Sequence, residues 1–356
     1  MGDVNFEEVL AEKRDKVWPV IKKYLYDLIK FPNFCKIPSK YTAIAELHQK
    51  LIADYPERKG KYFRPTLVLL TASAMGFSQD GALQTAAAMQ VSEDWILNHD
   101  DIEDGSLMRR GEPALHRIYG SELAVNAGDA LHVIMWKMLR DNEKILGFQK
   151  TFEIIDEFYQ MLTRTTLGQT VEIKWIQENK QNLTNKDCFF IFDGKTTYYT
   201  IAGPMRLGAI LANANEKQLE AIYEFAQPLG RCFQIIDDLL DLTSDFRGLK
   251  KQTGNDIYEG KRTIMLMHLF RTARLKDKAK LIGIMNKVRE KKTSEEVGFV
   301  IELMKKYHSL NYGQRVAEKL AQEALKIFEK KLMFLSKSPA KEELKAAIQF
   351  IVQRDF

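Results

Sequence analysis

Apolar residues recur along this chain at intervals of three and four, the repeat that lines one face of an α-helix, and the alternation typical of strands is almost absent. Phe6, Val9, Leu10, Val17, Ile21, Leu25 and Leu28 predict an amphipathic helix over 5–30, kinked at Pro19. Pro32 and Pro38 then break the pattern. A second helix is predicted over 43–55, and the basic stretch after Pro56 is expected to be a loop entering a helix that opens at Pro65 and closes near Met75. Further helices are predicted from Gly81 through Asp104, from between Val125 and Asp129 to about Arg140, over 145–178, over 187–212 with a break at Gly203-Pro204, and over 216–243. GSLMRRGEPALHRIYG between them predicts a loop and a short helix, QENKQNLTNKD a polar loop, and SDFRGLKKQTGNDIYEGK a loop rich in glycine and lysine. Helices with charged faces continue beyond 275. The expected fold is all-α, in one large helical domain over 1–356.

Two of these helices end in carboxylates. Asp100 and Asp104 stand one turn apart, with Asp101 about 100° round the helix from Asp100. Asp237, Asp238 and Asp241 repeat the spacing on a strongly apolar helix. Like charges so placed repel one another unless a cation neutralises them. Oxygen ligands without His or Cys suit Mg²⁺ better than zinc, and Mg²⁺ takes one or two carboxylates together with water and substrate phosphate. Two acidic helix ends facing each other would make such a site. Basic residues beside turns supply what a phosphate needs: Lys61 and Arg64, Arg109 and Arg110, Lys195, Lys251 and Lys261.

Composition narrows the choice. Hydrophobic residues at 45% and charged residues at 28% are those of an ordered globular chain. A net charge of +5 without a basic tail argues against nucleic acid. Cys35, Cys188 and Cys232 are far apart and are expected to be buried thiols in a reducing compartment. No apolar run is long enough to span a bilayer and the N-terminus lacks a signal peptide's apolar core, so no stable membrane insertion and a cytoplasmic location are expected.

With these residues in order, the chain resembles the trans-isoprenyl diphosphate synthases, the family of farnesyl and geranylgeranyl diphosphate synthases. The likeness runs from about Lys61 to Thr263. The first aspartate motif is followed by Arg109-Arg110-Gly111, Pro113 and His116, and Gln234 precedes the second; Gly60, Lys61, Arg64, Pro65, Lys195-Thr196, Lys251, Gly254, Asp256, Gly260, Lys261 and Thr263 fall at the family's positions. The resemblance implies an isoprenoid-synthase helical bundle with a central active-site cavity, catalytic elements at about 60–265, N-terminal helices over 1–45 and C-terminal helices over 275–356. It implies a homodimer. Both motifs, Asp100, Asp101 and Asp104 with Asp237, Asp238 and Asp241, would bind Mg²⁺, usually three ions. These hold an allylic diphosphate (dimethylallyl, geranyl or farnesyl) together with Arg109, Lys195 and Lys261. Isopentenyl diphosphate would rest on Lys61, Arg64 and Arg110, Lys251 belongs to the same phosphate-binding loops, and Thr196 and Gln234 would line the carbocation region. Basic residues at the C-terminus close the site in some members, and Arg354 is the candidate here.

Two positions set this chain apart. Glu93 stands where the family usually has a His or Gln that donates to isopentenyl diphosphate; a carboxylate there is expected to buttress Lys61 or Arg64. Trp95 and Ile96 lie about 7.5 Å and 6 Å below Asp100 on the helix and are expected to form the floor that limits product length. A bulky residue without a second aromatic points to a C20 product, with C15 as the alternative. A terpene cyclase would usually carry an Asn/Ser/Glu second motif, a helical pyrophosphohydrolase would not need so many family positions, and a non-catalytic partner subunit would tend to have lost motif carboxylates or arginines.

Overall fold

The computed structural model describes residues 4–27, 33–243 and 253–352, so that Lys251 and Arg354 lie outside the described residues. The architecture is all-α, and the chain divides into two compact units, each assembled from separated stretches: 1–157, 204–215 and 335–344 in one, 158–203, 216–334 and 345–356 in the other.

The first unit contains α1 (Phe6–Asp27), α2 (Thr42–Arg58), α3 (Phe63–Ala74), α4 (Gln79–Glu103), α5 (Leu115–Tyr119), α6 (Ser121–Asp141) and α7 (Glu143–Leu146). It also holds the start of α8 (Phe148–Gln177). Leu67, Val68, Leu69 and Leu70 are all buried, so α3 is apolar all round and forms the centre. Against it packs α4, whose wholly buried Ala82, Ala86, Ala87 and Ala88 let neighbouring backbones approach; α1 and α6 cover α4 in turn. Two helices are longer than predicted. In α2 the last turn passes Pro56 and is closed by Arg58 pairing with Asp54 at 2.6 Å. The first two turns of α6 bury Ala124 and Ala127, small residues that give the sequence pattern little signal.

GSLMRRGEPALHRIYG opens as a hairpin rather than a loop: β1 (Met108–Arg109) pairs with β2 (Glu112–Pro113). Arg110 at φ 51° and Gly111 at φ 84° are both left-handed, as a two-residue hairpin turn of the primed type requires.

In the second unit, the rest of α8 is followed by α9 (Asn185–Ile191), opened by a capping box between Thr184 and Asp187. Phe192–Ala202 is a π-helix, and the α-form returns only at α10 (Gly203–Leu211), which rejoins the first unit. The predicted break at Gly203-Pro204 is therefore the end of an irregularity that starts at Phe192. Then come α11 (Glu216–Thr243), α12 (Asn255–Glu259), α13 (Ile264–Thr272), α14 (Leu275–Met285), α15 (Ser294–Lys306), α16 (Ser309–Lys331) and, from residue 345 on, α17 (Ala340–Val352), whose first residues belong to the first unit. The axis of this unit is α11, packed by α16 and the π-helix. Cys188 and Cys232 are buried as expected, but Cys35 is exposed, in a stretch with little apolar cover. No helix among the described residues is long and apolar enough to cross a membrane.

Candidate active site

Helix α4 runs through the first acidic cluster, and its repeat sends neighbouring carboxylates to different places. Asp100 and Asp104 stay partly exposed, while Asp101 is wholly buried. Asp101 accepts from Arg109 Nε at 2.9 and 3.1 Å, from Arg109 Nη2, and from the Tyr55 hydroxyl at 2.6 Å. The Tyr55 oxygen accepts from the Leu115 N–H at 3.1 Å, tying α2, α4, β1 and α5 together. Burial requires protein partners for the Asp101 charge, and Arg109 and Tyr55 supply them. Burial alone would lower the Arg109 pKa, but Asp101, with Asp100 nearby, holds it above its ordinary value.

Arg110 turns the other way. It donates from Nη1 to the Tyr55 carbonyl at 2.6 Å and pairs through Nη2 with Asp94 at 2.8 Å, with Glu93 at 3.8 Å. A side chain at Gly60 would stand 2.9 Å from that Nη2, so the glycine makes room for the arginine. Arg64 Nη1 lies 3.1 Å from Glu93, an ion pair without hydrogen-bond alignment. Asp94 is wholly buried, and burial pushes its carboxyl up to about 6, against the pull of Arg110. The structure thus gathers Arg64 and Arg110 around Glu93; Lys61 lies in the exposed loop before α3. Below the aspartates, Trp95 stacks on His132 of α6 with ring centroids 4.1 Å apart and planes 17° from parallel. His132 in turn accepts from Trp136 Nε1 at 2.7 Å. Ile96 is partly exposed on the same helix.

In the second unit α11 repeats the sorting. Asp237 is exposed and Asp241 partly so, one turn apart, while Asp238 faces inward at 4% exposure. Gln234 donates to Asp238 at 2.6 Å and accepts from the Thr196 hydroxyl at 2.6 Å. Burial, with Asp237 beside it, raises the Asp238 pKa against the hydrogen bond from Gln234. Asp241 accepts from the Asp256 N–H at 3.0 Å and anchors the start of α12. Lys195, on the π-helix, pairs with Glu172 of α8 at 2.6 Å, and Lys261 pairs with Glu259 at 2.7 Å.

Each motif therefore offers two carboxylates a turn apart and oxygen donors alone. Among the described residues no three His, Cys, Asp or Glu side chains gather tightly enough to hold a metal by themselves. That fits Mg²⁺, which completes its shell with water and substrate phosphate.

The polyprenyl synthetase family profile matches residues 45–304. The chain belongs to that family. Among the relatives of this polyprenyl synthetase, the short chain isoprenyl diphosphate synthase of Methanothermobacter thermautotrophicus is 30% identical over 297 residues, covering 83% of this chain and 87% of the relative. The geranylgeranyl pyrophosphate synthetase of Pyrococcus horikoshii superposes with a TM-score of 0.81 at 28% identity, over 99% and 100% of the two chains. A geranylgeranyl pyrophosphate synthase of Corynebacterium glutamicum, solved in complex with isoprenyl diphosphate and magnesium, gives 0.83 at 21% identity over the same shares, a likeness of fold. The sequence motifs did not disclose Tyr55, His132, Glu172 and Glu259, the partners of Asp101, Trp95, Lys195 and Lys261. These pairings, except that of Glu259, span many residues, and single-residue identity carries no signal for them.

Proposed function

We propose that this polyprenyl synthetase is a short-chain isoprenyl diphosphate synthase that joins isopentenyl diphosphate to an allylic diphosphate and makes chiefly the C20 product, geranylgeranyl diphosphate. The observation that carries it is the sorting within each acidic helix: one aspartate bound inside the protein, two left outward a turn apart, and cations of the phosphate-binding kind on the same unit. Asp100, Asp104, Asp237 and Asp241 would hold Mg²⁺, taken as three ions, which when bound neutralise the diphosphate and stabilise the leaving pyrophosphate.

The protein's own groups do the rest. Arg109, fixed on Asp101 through Nε and Nη2, offers Nη1 to the allylic diphosphate, and Lys195 and Lys261 add point charges. The Thr196 hydroxyl donates a hydrogen bond to the Gln234 side-chain oxygen, which leaves the hydroxyl's own lone pairs for the positive charge that develops on the allylic carbon. The allylic C–O bond breaks with its electron pair leaving on pyrophosphate, the isopentenyl double bond attacks the freed carbon, and the proton then lost passes to that pyrophosphate. Lys61, Arg64 and Arg110 hold the isopentenyl diphosphate, with Glu93 fixing Arg64. Trp95, wedged on His132, closes the pocket for the growing tail, with Ile96 beside it. The whole chain is taken as one prenyltransferase domain acting as a cytoplasmic homodimer.

Labelled isopentenyl diphosphate, offered with dimethylallyl, geranyl or farnesyl diphosphate and Mg²⁺, should be incorporated from each primer and accumulate at C20; no incorporation from any primer would reject the activity. In the same assay Glu93→Gln should raise the KM for isopentenyl diphosphate several-fold, and an unchanged or lower value would remove the buttressing role.

A further inference from the structure

We infer that Arg289, remote in sequence from every residue assigned above, is a positioning residue for Lys261: it sets how readily that lysine leaves its glutamate to meet a diphosphate. The inference rests on the assignment of Lys261 to the allylic diphosphate.

Glu259 closes α12 with a side chain only 2% exposed. It holds two cations: Lys261 at 2.7 Å and Arg289 Nη1 at 3.0 Å. Asn255 donates to the same carboxylate and accepts from Arg289 Nη2 at 2.6 Å, which locks the guanidinium in place. The backbone around Lys261 is pinned as well. Arg262 donates to the Gly260 carbonyl, to the Lys180 carbonyl at 2.8 Å and to Asn179 at 2.6 Å, and Lys292 donates to the Tyr258 carbonyl at 2.7 Å. Lys261 can then move only by its own side chain.

For Lys261 to turn to a phosphate it must give up Glu259, its close partner, and the longer contact with Asp256 at 3.8 Å. A buried carboxylate that loses its sole cation is left uncompensated, which is strongly unfavourable. Arg289 removes that penalty, because Glu259 keeps one cation after Lys261 has gone. Without Arg289, Lys261 would be held against its glutamate and the diphosphate would have to compete for it.

The test measures KM for the allylic diphosphate and kcat in a set of variants. Lys261→Ala should raise KM by roughly tenfold or more; an unchanged value would show that the Lys261 assignment itself is wrong, and the role of Arg289 falls with it. Given that rise, Arg289→Gln should raise KM about tenfold with kcat little changed, and Arg289→Lys should stay near wild type. Removing the carboxylate as well, in Glu259→Gln/Arg289→Gln, should bring KM back to within about threefold of wild type, since nothing is then left to strand. A purely structural Arg289 would make the double variant as poor as the single one or worse, and that result, or an unchanged KM in Arg289→Gln, overturns the inference. Should Arg289→Gln fail to fold, as judged by thermal melting, Arg289→Lys and the double variant must both keep a KM near wild type; a raised KM in either overturns it.

Discussion

Replacing Asp101 by Asn would leave the partly buried Arg109 against a neutral partner, and stability should fall by about 2–3 kcal/mol in urea denaturation. The same change one residue earlier, Asp100→Asn, should lower the denaturation midpoint far less and lower turnover roughly 100-fold, the scale at which lost charge stabilisation is felt in catalysis. A second residue-scale prediction concerns Lys292, which is 7% exposed and whose ammonium burial pushes down to about 8, with Arg262 and Arg289 adding to the effect. An amine whose folded-state value lies below its ordinary 10.5 is penalised whenever it is charged in the fold. That penalty is complete below pH 8 and fades between pH 8 and 10.5, so this site's contribution to stability rises across the window. Urea midpoints of the wild type should rise relative to those of Lys292→Met as pH climbs through the window, since the variant loses the bond to the Tyr258 carbonyl at every pH but has no amine to titrate. At this scale the sequence disclosed residue types and spacing. It did not disclose which member of an aspartate triplet faces inward, because that depends on what packs against each helix.

The elements were legible to different degrees. Periodicity located α11 at Glu216–Thr243, since its wide apolar stripe is continuous from Leu219 to Leu242. The π-helix was not legible, because its sequence, FDGKTTYYTIA, carries one glycine and no proline, and the wider turn answers to close neighbours instead. Gly194 lies against the Arg164 carbonyl, and a Cβ on Gly230 of α11 would come within 2.6 Å of both Thr197 Cα and its Oγ1. Gly230→Ala should therefore force α11 away from the π-helix and cost about 1–3 kcal/mol in thermal or urea unfolding. Because Thr196 and Gln234 span that same contact, activity should fall further than stability alone explains. The hairpin after α4 was missed for another reason: Arg110 accepts a left-handed conformation that the adjacent Gly111 made readable only as a turn.

For the molecule as a whole, the order of motifs along the chain was enough for family and fold, whereas product length depends on packing that a single sequence does not display. Trp95 was visible as a bulky residue below the aspartates; that His132 and Trp136 hold its ring in place was not. Trp95→Ala should lengthen the product beyond that of the wild type in a chain-length assay, and an unchanged distribution would remove Trp95 from the floor. The sorting of each aspartate triplet also bears on how such a chain would age if selection on its chemistry were relaxed. Asp100, Asp104 and Asp237, proposed to serve the chemistry, would be released from that selection. Asp101 and Arg109 would stay, as a conserved pair in a protein that no longer made anything, and a descendant retaining the pair without its flanking carboxylates could be recognised as a scaffold rather than a catalyst.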